Sequence, residues 1–301
     1  MTRSTVAIVL TLLLSTAPVL AQADPHAGHA HAAPAAPVTA APAAAPLPPN
    51  EAIPPDAEGA KAALAKSPRH GEWVDLKLAD GTKLLTWVVY PESKAKAGVV
   101  LVIHEVYGLT DWVRGVADQL AEDGFIALAP DLLSGLGPNG GGTEGLGADV
   151  TKTIRTLTPE QVAARLDVVR DYALKLPAAN GKSASVGYCW GGSMSFAYAA
   201  AQPKLDGAVV YYGSSPADAA AFAKIAAPVL GLYGADDARV NATIPTAEAE
   251  MKKLGKPFAA NVYEGAGHGF LRQQAGRDGA NRKAAEKAWA ATLTFLRDRL
   301  K

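Results

Sequence analysis

The spacing of apolar and polar residues changes its period along the chain after position 70. Val74, Leu76 and Leu78 alternate with polar residues, and Asp80-Gly81 separates them from a second apolar segment at 84–90. This pattern predicts an antiparallel hairpin. Residues 98–103 then form a continuous aliphatic run, as expected of a central strand that is covered on both faces.

Helical spacing alternates with strand-like runs over the rest of the chain. The segment 113–120 has helical periodicity, ends at Gly124 and precedes a predicted strand at 125–129. Thr158-Pro159-Glu160-Gln161 combines an N-cap, a proline at the first helical position and a capping box. Further strands are predicted at 184–188, 207–212, 228–233 and 258–263, and helices at 193–201 and around Trp289, Leu293, Leu296 and Leu300. The alternation predicts an α/β fold with a doubly wound, mostly parallel sheet and helices on both faces.

Residues 1–23 have the features of a signal peptide. Arg3 precedes an apolar run at 6–14, and Ala21-Gln22-Ala23 gives the small residues that a signal peptidase accepts. An uncleaved anchor or a transit peptide is the alternative, but the apolar run is too short to span a bilayer. We therefore expect a secreted or periplasmic protein.

Residues 24–68 are rich in alanine and proline and are predicted to be a disordered tether. His26, His29 and His31 could hold a metal there, but Pro25 lacks the backbone N–H that a square-planar copper site at a new amino terminus needs. A solvated tail is the favoured interpretation. The catalytic domain is then expected to cover 69–301.

The charge of the chain is balanced, with 29 Lys and Arg against 29 Asp and Glu. The protein therefore has no overall electrostatic field that would favour binding to a nucleic acid or an anionic membrane. No segment after the signal is expected to cross a membrane. A small-molecule partner is expected, and the protein is expected to be a monomer.

Cys189 is the only cysteine of the chain, so it cannot form an internal disulfide. It is either a buried small side chain or a reactive thiol. The surrounding sequence Gly187-Tyr-Cys-Trp-Gly191 has the nucleophile-elbow pattern with cysteine in place of serine. The helix that follows would direct backbone N–H groups toward the sulfur and favour a thiolate.

The order of the other chemical groups indicates an α/β-hydrolase, in which an acid and then a histidine follow the nucleophile. Asp237 follows the strand at 228–233, and His268 lies in a glycine-rich loop after the last strand. Asp236 is a possible neighbour of the pair. We expect Cys189, His268 and Asp237 to form a triad that makes a covalent thioester, with the backbone N–H groups of Trp190 and Val106 as oxyanion hole. This chemistry requires no metal or cofactor.

Four motifs resemble the dienelactone hydrolase family over residues 72–301: H-E-V-Y-G-L at 104–109, A-P-D-L at 129–132, G-Y-C-W-G-G at 187–192 and G-H-G-F-L-R at 267–272. Members of that family are carboxymethylenebutenolidases, which open dienelactone rings. The resemblance therefore implies a hydrolase of lactones or esters.

The resemblance also implies roles for two charged residues. It implies that Glu105 contacts the thiol and takes its proton when substrate binds. It implies that Arg272 is one arm of a two-arginine clamp for the substrate carboxylate, although pairing with a surface acid is an equal alternative. The second arm is missing, because Leu133, Ser134 and Gly135 supply no cation.

Two further features are expected near the cleft. The glycine-rich segment 134–147 does not fit a phosphate loop and is predicted to be a lid or rim. Tyr107, Trp112 and Trp190 either line the acyl pocket or belong to the core. A non-catalytic binding protein and a thiol redox protein are the rival functions. The complete triad argues against the first, and the missing resolving cysteine argues against the second.

Overall fold

The structure is a computed structural model that describes residues 50–301. The predicted signal peptide, the histidines of the tail and most of the predicted tether lie outside the described residues. The described part contains an eight-stranded sheet with the strand order β1-β2-β4-β3-β5-β6-β7-β8. Its strands are β1 (Gly71–Lys77), β2 (Lys83–Val89), β3 (Ala97–Ile103), β4 (Ile126–Pro130), β5 (Ala179–Tyr188), β6 (Gly207–Tyr211), β7 (Val229–Gly234) and β8 (Phe258–Tyr263).

Helices connect the parallel strands. The longer ones are α1 (Ala60–Lys66), α2 (Asp111–Glu122), α5 (Pro159–Ala173), α6 (Trp190–Ala201), α7 (Ala219–Lys224), α9 (Ile244–Lys253) and α10 (Ala280–Arg299). Single turns form α3 (Thr143–Leu146), α4 (Val150–Thr153) and α8 (Ala238–Asn241). The capping box predicted at Thr158 is present, because its side chain accepts from the backbone N–H of Gln161 and the Gln161 side chain accepts from the N–H of Thr158.

The sheet is antiparallel only at its first edge. β1 pairs with β2, and β2 with β4, in antiparallel register, whereas every other neighbouring pair is parallel. β3 is central and all seven of its residues are buried. Residues of α5, α6, α7 and α9 belong to one apolar cluster against the sheet, and residues of α1, α2 and α10 to another. The predicted α/β-hydrolase fold, doubly wound with helices on both faces, is confirmed.

Strand β5 begins five residues before its predicted start. Asn180-Gly181 has the composition of a turn, and Gly181 does have a positive φ of 90°. Ala179 nevertheless pairs with Ala97, and an irregularity in the register accommodates the extra residues. The turn signal therefore marks a bulge inside the strand rather than its beginning.

The expected domain boundary at residue 68 is wrong for the described part of the tether. Ile53 is buried, and α1 packs with its fully buried Ala60 against α2. The indole N–H of Trp112 donates to the carbonyl of Pro55 at 3.1 Å. The amino-terminal arm (residues 50–58) thus packs on the domain through one bulky aliphatic side chain, Ile53, and through a proline carbonyl that accepts a hydrogen bond.

No helix within the described residues is both long and apolar enough to cross a membrane. The carboxyl ends of the parallel strands meet at one edge of the sheet, which is where doubly wound folds bind ligands. Loops after β3, β4, β5, β7 and β8 all leave the sheet at that edge, and they carry the predicted site residues.

Candidate active site

Cys189 occupies a tight turn between β5 and α6. Its backbone has φ 55° and ψ −118°, a strained conformation for a residue with a side chain. The turn requires glycine on both sides: a Cβ on Gly187 would lie 1.9 Å from the carbonyl oxygen of Gly191, and one on Gly191 would lie 2.3 Å from that of His104. The backbone N–H of Cys189 donates to the carbonyl of Tyr211 at 3.0 Å, which ties the turn to β6.

The Cys189 thiol is partly buried. Burial and the nearby Glu105 carboxylate raise the pKa of this thiol. The backbone N–H groups of Trp190 and Val106 and the positive charge of Arg239 act in the opposite direction. Both N–H groups that were expected to form an oxyanion hole therefore lie close enough to the sulfur to lower its pKa. Because the factors that raise the pKa dominate, the resting side chain is a thiol.

His268 lies beside the acid expected from its sequence position. Its Nδ1 is 2.5 Å from Oδ2 of Asp237, whose side chain is buried. The neighbouring Asp236 is half exposed and instead pairs with Arg277 at 2.5 Å. Within residues 50–301 the imidazole forms this single hydrogen bond, and its ring packs on Tyr212 at 5.1 Å between centroids. At rest, therefore, the thiol is not hydrogen-bonded to His268.

Two asparagines hold the loops of the acid and the histidine. Asn281, at the start of α10, accepts from the backbone N–H of Gly267 at 3.0 Å and donates to Gln273 at 2.8 Å. Asn241 donates to the carbonyl of Gly234 at 2.8 Å and also to that of Ala235. These contacts fix backbone segments on either side of the His268–Asp237 pair.

Glu105 follows β3 and is buried next to the thiol. Its Oε2 lies 2.9 Å from Nε of Arg272, which is itself 22% exposed. Burial raises the pKa of the Glu105 carboxyl to about 7, although the Arg272 charge works against this rise. Arg272 thus pairs with a buried acid, which was neither of the two alternatives considered from the sequence. Its guanidinium also lies over the ring of Tyr107, 5.0 Å from the centroid.

The three aromatic residues expected near the cleft are placed differently. Tyr107 is 48% exposed beside Arg272, and Trp190 stacks on His104. Trp112 is 2% exposed and packs edge-on against Tyr188 in the core. The expectation that Trp112 contacts substrate is therefore wrong, because α2 turns its indole inward to the carbonyl of Pro55.

The glycine-rich segment 134–147 is fastened to the edge of the sheet by Asp131. This carboxylate accepts from the backbone N–H of Thr143 at 2.7 Å and from its hydroxyl at 2.8 Å. The same hydroxyl accepts from the N–H of Leu109 at 3.0 Å. The segment thereby connects the loop after β4 with the loop after β3.

The places of His104, Arg239 and the Asp131–Thr143 pair near the site were not predicted from the sequence. His104 and Asp131 belong to the motifs H-E-V-Y-G-L and A-P-D-L, but the spacing of residues in the sequence does not predict which groups their side chains contact. Arg239 follows Asp237 by two residues, and only the fold brings its charge near Cys189. Among the described residues no three His, Cys, Asp or Glu side chains converge as a metal site would require.

A mostly parallel sheet with a strained cysteine elbow after its fifth strand, followed by an acid and a histidine on later loops, defines an α/β-hydrolase. The chain matches the profile of the dienelactone hydrolase family over residues 84–300, and it belongs to that family. It is a hydrolase that acts on esters or lactones.

Individual relatives cover most of the chain. A protein of Saccharolobus solfataricus named "Putative carboxymethylenebutenolidase" is 31% identical over 252 residues, which are 73% of this chain and 95% of that protein. A Salmonella typhimurium protein of the same name is 30% identical over 85% of this chain and 94% of its own length. The crystal structure of dienelactone hydrolase from Anabaena variabilis covers 77% of this chain and 99% of its own, with a TM-score of 0.61 and 22% identity.

Proposed function

We propose that Cys189, His268 and Asp237 hydrolyse a lactone or carboxylic ester through a thioester acyl-enzyme. The observation that carries this proposal is the strained Cys189 turn, and the N–H groups of Val106 and Trp190 lie close enough to its sulfur to lower the thiol pKa. Such a turn stores strain that a buried cysteine used only for packing would not require. The His268–Asp237 pair on the same edge of the sheet supplies the general acid and base.

The chemical steps follow from these positions. The sulfur of Cys189 forms a bond to the carbonyl carbon, and the electron pair of the C=O bond moves to the oxygen, which the two N–H groups stabilise. The thiol proton passes to Glu105 as the sulfur attacks, and the leaving oxygen takes that proton when the C–O bond of the ester breaks. Water then attacks the thioester while His268 removes its proton. The thiolate leaves as the acid product forms, and the His268 imidazolium returns the proton to the sulfur.

Glu105 has the properties of the group that first deprotonates the thiol. Its carboxyl pKa of about 7 makes it a far better base at neutral pH than an exposed glutamate. Its ionic partner in the structure is Arg272. A substrate carboxylate that competed for Arg272 would leave Glu105 more basic, so substrate binding would favour transfer of the Cys189 proton to Glu105.

The substrate is an ester or lactone that carries at most one carboxylate contact at Arg272. Leu133 and Ser134 are buried and offer no second cation at the position where the family clamp has one. Tyr107 covers the Arg272 guanidinium with its exposed ring and provides an apolar wall for the acyl group. These features support small, weakly charged esters as substrates, as well as dienelactones.

The test compares hydrolysis of p-nitrophenyl acetate and of a dienelactone by the wild type, Cys189→Ala and Cys189→Ser. We expect the alanine variant to lose turnover, and we expect the mass of the wild-type peptide containing Cys189 to rise by one acetyl group during turnover. Thr292→Val is the control for a buried substitution elsewhere, because Thr292 is completely buried and its hydroxyl bonds to that of Tyr211.

Each rival function predicts another result. Turnover that persists in Cys189→Ala would contradict the cysteine mechanism. A wild type that binds esters and lactones without cleaving them would indicate a binding protein, and turnover of peroxide that requires Cys189 would indicate a redox protein.

We also propose that the protein is exported, on the basis of residues 1–23. Cell fractionation with amino-terminal sequencing tests this proposal. Recovery of a periplasmic or secreted chain that begins after Ala23 is expected, and a cytoplasmic chain that retains Arg3 would contradict it.

A further inference from the structure

His104 is completely buried at the carboxyl end of β3. Its Nδ1 lies 2.9 Å from the backbone carbonyl oxygen of Glu105, and its Nε2 lies 3.1 Å from the backbone nitrogen of Leu132. A carbonyl can only accept and an amide N–H can only donate, so the ring carries its proton on Nδ1 and is neutral. Burial lowers the pKa of this imidazole and thereby maintains the neutral form.

The carbonyl that His104 holds is part of a particular peptide unit. The C=O of Glu105 and the N–H of Val106 lie in one rigid plane, so a bond that fixes the carbonyl also fixes the direction of the N–H. A hydrogen bond to the carbonyl also polarises the unit and strengthens the N–H as a donor. That N–H is one of the two that lie close enough to the Cys189 sulfur to lower its pKa.

The ring also contacts the residue that supplies the second donor. The imidazole and the indole of Trp190 are stacked, with centroids 5.8 Å apart and planes inclined by 20°. The bond from Leu132 anchors the imidazole to the loop after β4. A single buried side chain therefore bonds to the peptide that carries the first N–H group and packs on the side chain of the residue that carries the second.

We propose that His104 is the positioning residue of the oxyanion hole, and that it acts by holding the Glu105–Val106 peptide in the orientation that stabilises the tetrahedral oxyanion. This inference rests on the proposed acyl transfer at Cys189 and adds to it the group that orients the donor. His104 does not touch substrate and exchanges no proton in the reaction.

The test uses two reactions of the same sulfur. Hydrolysis of p-nitrophenyl acetate develops an oxyanion, whereas alkylation of Cys189 by iodoacetamide requires the thiolate but forms no oxyanion. His104→Phe keeps an aromatic ring against Trp190 and removes both polar contacts. Since loss of one oxyanion donor costs about 100- to 1,000-fold in kcat, we expect misorientation of that donor to lower kcat by about 10- to 100-fold. We expect KM and the limiting alkylation rate of the fully ionised thiolate to stay within about threefold of wild type.

His104→Gln and His104→Asn complete the experiment. The amide nitrogen of asparagine lies where Nδ1 of His104 lies and can donate to the Glu105 carbonyl, so His104→Asn is expected to restore most of kcat. The amide of glutamine lies where Nε2 lies and accepts from Leu132 instead, so His104→Gln is not expected to restore kcat. This pair still tests the inference if His104→Phe does not fold. Thr292→Val is again the control for loss of a buried hydrogen bond elsewhere.

Three results would be decisive against the inference. Equal losses of hydrolysis and alkylation would mean that His104 positions the thiol, and unchanged hydrolysis in His104→Phe would mean that other contacts hold the peptide. Equal activities of the glutamine and asparagine variants would also exclude the positioning role. Hydrolysis that survives Cys189→Ala would instead reject the proposed function itself.

Discussion

Glu105 and Arg272 form an ion pair, with 2.9 Å between Oε2 and Nε, in which the acid is almost completely buried and the base is partly exposed. The pair does not fully compensate for burial, because the pKa of the Glu105 carboxyl still rises to about 7. Ionised Glu105 is thus less favourable in the folded than in the unfolded chain. This imbalance has a measurable effect on stability.

The first prediction concerns the pH dependence of unfolding. Between pH 4.5 and about 7 the unfolded chain binds fewer protons at Glu105 than the folded chain, so the free energy of unfolding falls as the pH rises through this window. Glu105→Gln removes this dependence. For the pKa shift of Glu105, the free energy of unfolding changes by about 3 kcal/mol at most across this window. Urea unfolding at pH 5 and pH 8 measures it.

Glu248→Gln is the control, since Glu248 lies on the exposed side of α9. It is expected to leave the pH dependence of unfolding unchanged. If Glu105→Gln loses as much stability between pH 5 and pH 8 as the wild type does, the raised pKa of Glu105 is not the cause.

The second prediction separates two adjacent acids. Asp237→Asn removes the carboxylate that orients the His268 imidazole, and we expect kcat to fall by about 1,000- to 10,000-fold. Asp236→Asn breaks only a surface ion pair with Arg277, and we expect kcat to stay within about threefold of wild type. Steady-state kinetics on p-nitrophenyl acetate distinguish the two variants. Comparable losses in both would show that Asp237 has no special role.

The third prediction concerns the exposed Arg239. Its positive charge lowers the pKa of the Cys189 thiol, so Arg239→Gln should raise that pKa and shift iodoacetamide alkylation to higher pH. High salt should reduce the difference, because an exposed charge is screened. Lys252→Gln makes the same charge change on α9 and should have no effect. A profile that is identical in Arg239→Gln and the wild type would rule out this influence.

The fourth prediction concerns the segment 134–147. Thr143→Val removes the hydroxyl that bridges Asp131 and Leu109, which leaves a partly buried N–H and a carboxylate oxygen without that partner. We expect a loss of about 1–3 kcal/mol in the free energy of unfolding, together with faster proteolysis within the segment. Thr151→Val, on the exposed side of α4, is the control. Unchanged proteolysis would mean that the segment is held by other contacts.

The sequence predicts the architecture and the order of the chemical groups because both depend on local patterns. Strand and helix periods, the capping box at Thr158 and the glycines around Cys189 are each read within a few residues. The position of Asp237 beside His268 follows from the order of strands in this fold. These features need no knowledge of which side chains meet across the sheet.

Contacts between distant segments could not be predicted in the same way. Arg272 and Glu105 are separated by most of the domain, and either residue alone resembles an ordinary surface charge. Trp112 is of a residue type that often lines pockets, but the direction of its side chain depends on how α2 packs against the amino-terminal arm. The role inferred for His104 depends on two backbone groups, and backbone groups leave no signature in residue identity.

The amino-terminal arm, residues 50–58, is bonded to the loop that follows His268. The backbone N–H of Ala57 donates to the carbonyl of Arg272 at 3.0 Å, and Gln274 donates to the carbonyl of Pro54 at 2.8 Å. A fragment that begins at residue 69 would keep every proposed catalytic side chain. It would lose the hydrogen bonds that the arm makes with the loop that carries Arg272. A fragment that keeps these contacts therefore starts near residue 50, well upstream of the first strand.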